Sequence, residues 1–157
     1  MARQSDFTPE EWRTLAAGPM AAGMYVILSQ LSGPVGLVEE SWAIASEVRD
    51  ATRSENELVR AIADADRAAA RHVLPEMPGD RQTARVRLLD GVREAMAALG
   101  AKAPADVDAY GQWLYAVAEK TAAAAKEGGF LGIGGTPVSA AEKAALAELA
   151  AVLKVKP

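Results

Sequence analysis

Three short segments, Thr8-Pro9-Glu10-Glu11, Ser54-Glu55-Asn56-Glu57 and Ser139-Ala140-Ala141-Glu142, follow the capping-box pattern that opens an α-helix. In each, the hydroxyl can accept from a backbone N–H that the first turn leaves unpaired, while the carboxylate reaches back to the cap. Pro9 stands at the first helical position, and Phe7 and Trp12 occupy the two places of a hydrophobic staple. Between such starts the chain is filled with alanine, 35 of its 157 residues. Alanine loses no side-chain entropy in a helix and is the best helix former. No segment alternates with period two for long enough to make a strand. The chain therefore reads as all-α.

Proline, glycine and apolar spacing divide it into six or seven helices. The first runs from Pro9 to about Ala17 and is expected to stop at Gly18-Pro19, since proline removes a helical hydrogen bond. A second, almost wholly apolar, carries Met20, Met24, Tyr25 and Ile27 to Gly33-Pro34. The third places Leu37, Val38, Trp42, Ala45 and Val48 on one side, and a break near Ser54 separates it from a fourth built on Leu58, Ile62, Ala65, Ala69 and Val73. Asp80 caps a fifth, with Val86, Leu89, Val92, Met96 and Leu99 inward, ending at Gly100. A sixth follows Pro104 to about Glu127 through Val107, Tyr110, Leu114, Val117 and Thr121. The last runs from Ala140 to Leu153. The length suits one closely packed domain over 1–157, with a loose N-terminus at 1–6, a glycine-rich connection at 128–138 and a tail at 154–157.

The charge balance argues against two classes of partner. Net charge is −4, and the basic residues are interleaved with acids where a nucleic-acid binder would show a basic face. All eleven arginines lie at or before Arg93 and all six lysines at or after Lys102, a switch with no physical account. From Thr14 to Val38 no residue is charged, but Gly18-Pro19 and Gly33-Pro34 interrupt the stretch, which reads as a buried core helix and not a membrane span. Glu10 and Glu11 sit where a signal peptide would turn apolar, so a cytoplasmic protein is expected.

Catalytic chemistry is hard to assemble from these residues. The chain has no cysteine, and His72 is its single histidine, read as a cation near a helix C-terminus. A di-iron bundle needs two Glu-x-x-His helices, and no acidic run has EF-hand spacing. No serine lies in a nucleophile elbow. The paired acids at Glu10/Glu11, Glu39/Glu40, Asp64/Asp66 and Asp106/Asp108 read as helix starts and solvated faces. No metal, cofactor or catalytic residue is assigned.

Two non-catalytic candidates remain. The segment Gly128 to Val138 holds five glycines and several apolar side chains without a charge, and lacks the strand that a phosphate-binding loop requires. Phe130, Leu131 and Ile133 there either fold back on the bundle or dock another chain. The second candidate is a pocket for a small apolar ligand among Trp42, Tyr110, Trp113, Met20 and Met24.

The stretch from Lys126 to Leu153, with its GGFLGIGG run, and the FTPEEW opening at Phe7 to Trp12 resemble segments of small bacterial all-helical proteins to which no activity is attached. The resemblance covers about a quarter of the chain and implies a bacterial source and a helical fold. The expectation is an all-α protein without catalysis, acting through protein contacts and self-associating as a homodimer. The alternative is a bundle that binds a small apolar ligand.

Overall fold

The computed structural model describes residues 2–29, 34–69, 79–127 and 138–156. Among them are six α-helices and no strand: α1 (Pro9–Ile27), α2 (Pro34–Ala51), α3 (Glu57–Ala69), α4 (Arg81–Lys102), α5 (Val107–Glu127) and α6 (Ala140–Leu153). Helices α1 and α5 form the centre. The first is flanked by α4 and α5, the second by α1, α2 and α6. No described helix is long and apolar enough to cross a membrane.

Two of the capping boxes form as read. Glu11 N–H donates to the Thr8 hydroxyl at 3.2 Å and Thr8 N–H to the Glu11 carboxylate at 2.7 Å, with Phe7 and Trp12 buried 6.2 Å apart beneath them. Ser139 and Glu142 repeat the arrangement at the start of α6, and Asp80 caps α4 by accepting from Thr83 N–H. The third start is shifted. Asn56, not Ser54, accepts from Val59 N–H at 3.0 Å, while the Ser54 hydroxyl accepts from Asn56 N–H one step earlier. The Asn56 amide also donates to the buried Asp106, which accepts from the Ala2 N–H at 2.9 Å. Ala2, expected in a loose terminus, is thereby buried against the turn before α5.

The main departure from the sequence reading is α1, which continues through Gly18-Pro19 as one helix of 19 residues. Pro19 has no N–H to give the carbonyl four residues back, so the Leu15 carbonyl loses its helical partner. Tyr110 supplies a replacement: its hydroxyl donates to Leu15 O at 2.7 Å, and the side chain is completely buried. Gly18 makes the room. A Cβ there would stand 2.0 Å from the tyrosine oxygen. A glycine, a proline and a distant tyrosine thus make one device, which satisfies an interior carbonyl that proline would leave unpaired.

Close approach recurs one turn on. A Cβ at Gly23 would lie 2.4 Å from the Ile44 side chain of α2, which is fully buried. Ile44, Val48 and Ala51 accordingly face the core, not the expected Trp42 and Ala45. Val86 likewise points outward, and α4 buries Ala84, Leu88, Val92, Ala95 and Leu99. Helix α5 follows the expected pattern through Tyr110, Leu114, Val117 and Thr121. On its outer side Lys120 joins the Glu47 and Asp50 carboxylates of α2.

Candidate functional site

Of the five residues expected to line a ligand pocket, Tyr110 and Trp113 meet edge to face, with ring centroids 6.1 Å apart and both side chains buried. The Tyr110 hydroxyl is committed to Leu15, and burial pushes its pKa well above the ordinary phenol range. Met20 is buried and Met24 packs at the edge of the core. Trp42 stands apart, 64% exposed, with the Arg49 guanidinium 5.4 Å above its ring. None of the five lines a described cleft. Phe130, Leu131 and Ile133, and His72, lie outside the described residues.

The antiparallel seam between α1 and α4 holds what the sequence reading missed. At one end Lys102, in the last turn of α4, pairs with Glu11 at the start of α1. That lysine, together with the Thr8 N–H, holds the Glu11 carboxyl below its usual range. At the other end Tyr25 donates to Glu148 of α6 and accepts from Arg85 of α4 at 3.2 Å, with the guanidinium 4.8 Å over its ring. Burial, reinforced by Glu148, raises the Tyr25 pKa against the opposing pull of Arg85. A phenol held protonated in this way ties three helices together and is not poised to act as a base.

Between these two pins, about 21 Å apart along α1, the helices meet through small residues. Ala17, Gly18 and Ala21 of α1 face Leu88 and Gly91 of α4 across a cleft of about 230 Å³. Arg13, Thr14, Arg87 and Glu94 form its rim. Thr14 is occupied by the Glu10 carbonyl, whereas the exposed Arg13, Arg87 and Glu94 side chains have no ion pair or hydrogen bond among the described residues.

Gly91 is the informative residue of this cleft. Glycine in a helix interior costs about 1 kcal/mol relative to alanine, and is usually explained by a neighbour too close for a Cβ. No atom lies within 4 Å of a Cβ built at Gly91. Packing does not require it. The same holds at Gly100 in the last turn of α4, and what distinguishes Gly91 is its place in the wall of this cleft.

Among the described residues no group of three or more metal-ligating side chains comes together. No protein-family model, curated protein or solved structure matches the chain.

Proposed function

We propose that this chain is a ligand-binding helical bundle that holds a small, largely apolar molecule in the cleft between α1 and α4. The observation that carries the reading is Gly91, a glycine without a packing reason at the wall of an apolar-floored cleft. The volume lies below the 300–1,000 Å³ of sites for drug-sized molecules, so the occupant is smaller than those. The residues differ from the set expected from sequence: Tyr110, Trp113 and Met20 are buried in the core, and Trp42 stands exposed away from the cleft.

Titration with octanol, followed by amide chemical shifts, tests this. Shifts clustered at Ala17, Ala21, Leu88 and Gly91, and their loss in Gly91→Leu, are the expected result. Leucine fills the groove and favours the helix, so the variant stays folded. Shifts scattered over the surface, or unchanged in Gly91→Leu, contradict the reading.

A second reading, self-association through protein contacts, is favoured by Trp42. Trp42 is exposed beneath Arg49, and tryptophan and arginine are among the residue types enriched where interfaces concentrate their binding energy. The occupant would be a second copy of this chain. Sedimentation equilibrium then gives a dimer that Trp42→Ser weakens. A monomer at every concentration removes this second reading.

A further inference from the structure

We infer that the ligand of the α1–α4 cleft is an amphiphile ending in a carboxylate, with its apolar part over Ala17, Gly18, Ala21 and Gly91 and its carboxylate on Arg87. The inference rests on the ligand-binding reading above and adds the chemistry of the head group.

The charges of the rim are unevenly placed. The end pairs Glu11–Lys102 and Tyr25–Arg85 fix the antiparallel register. Counting inward from them, Arg13 reaches in from the Glu11 end and Arg87 from the Tyr25 end. Glu94 lies seven residues beyond Arg87 on α4, about 10 Å along the axis, which brings it towards the Arg13 end. Glu94 is thus the acid of the rim nearer to Arg13 than to Arg87 along the axis. The Tyr25 end carries Arg87 as the only charge among the lining residues.

Arg87 is also free to bind. The acid three residues after it, Asp90, is paired with Arg93 at 2.7 Å. Arg87 itself has no ion pair or hydrogen bond among the described residues. A guanidinium presents a planar fork of donors that matches a carboxylate with two parallel hydrogen bonds. Beside it lie Ala17, Gly18, Ala21, Leu88 and Gly91, whose side chains carry no hydrogen-bonding group and can cover a short hydrocarbon chain. An apolar floor with one unpaired guanidinium at its end is complementary to a short-chain carboxylic acid.

Octanoate and octanol, which share a chain and differ in the head, separate the two claims. Binding is measured by amide chemical shifts or calorimetry on the wild-type chain, Arg87→Gln and Arg13→Gln, each checked for an unchanged circular dichroism spectrum. The expected result is octanoate bound about tenfold more tightly than octanol, the scale of one charge-assisted hydrogen bond. Arg87→Gln abolishes that preference and leaves octanol binding as it was, whereas Arg13→Gln retains it. Equal binding of the two probes, or a preference that survives Arg87→Gln, overturns the carboxylate inference while the ligand-binding reading stands. A preference lost in Arg13→Gln and kept in Arg87→Gln also overturns it, by assigning the head group to the other end. Binding of neither probe defeats both.

Discussion

Helix α1 meets α5 on one side and α4 on the other, and glycine serves opposite purposes at the two seams. Towards α5, Gly18 gives up its side chain so that Tyr110 can reach the Leu15 carbonyl, and the tyrosine fills the space. Towards α4, Gly91 gives up a side chain and nothing enters the space. The first seam is closed by a hydrogen bond and a buried ring. The second is pinned at its ends by long polar side chains and carries a cleft between them, although α1 and α4 pack closely along it. A glycine within a helix is thus not one kind of signal. Its meaning depends on what a Cβ would meet, and only one of the two seams has room for another molecule.

The contrast is sharpest under the same substitution. Gly18→Ala should destabilise the protein by about 3 kcal/mol, because the methyl group must displace a buried tyrosine that has nowhere to go. Chemical denaturation measures it, and a cost under 1 kcal/mol would mean that the α1–α5 seam is looser than described. Tyr110→Phe keeps the ring but strands the Leu15 carbonyl, with an expected loss of about 2 kcal/mol. Gly91→Ala should go the other way, gaining about 1 kcal/mol of stability and raising the melting temperature by about 3 °C. Destabilisation by Gly91→Ala would show a neighbour pressed against that glycine and would remove the main support for an open cleft.

Acid should separate the seams by a smaller effect. The lowered pKa of Glu11 means that its contribution is complete above the carboxyl's ordinary value and is lost as pH falls through the lowered one. The Tyr110 hydroxyl, pushed upward, stays protonated over the whole acid range. Hydrogen exchange measured down the acid range should therefore show the first turn of α1 loosening while the amides around Tyr110 keep their protection. Simultaneous loss at both places would contradict a seam-by-seam account.

Local chemistry made much of this fold legible. Thr8, Asp80 and Ser139 cap where hydroxyl and carboxylate spacing placed them, because a cap needs only four consecutive residues. Gly18-Pro19 misled for a physical reason. Proline ends a helix unless something else accepts the burden of the unpaired carbonyl, and that something lies 95 residues away. Trp42 misled in a related way. Hydrophobic spacing fits both Trp42–Ala45–Val48 and Ile44–Val48–Ala51, and the choice is made by Gly23, whose missing side chain accommodates Ile44. The candidate site was less visible still. Aromatics and methionines suggested a pocket, but Tyr110, Trp113 and Met20 fill the interior, Trp42 is exposed, and the cleft is lined by residues that carry almost no signal of their own.

The central claim is that Pro19 and Tyr110 are energetically one unit, and a double-mutant cycle between Pro19→Ala and Tyr110→Phe tests it most directly. Alanine at position 19 restores the N–H that can satisfy the Leu15 carbonyl, so the tyrosine hydroxyl loses its purpose. Tyr110→Phe should then cost about 2 kcal/mol in the proline chain and well under 1 kcal/mol in the alanine chain, a coupling of more than 1 kcal/mol. If the two effects instead add within about 0.5 kcal/mol, the hydroxyl is not standing in for the missing helical bond, and the account of how α1 passes through its proline is wrong.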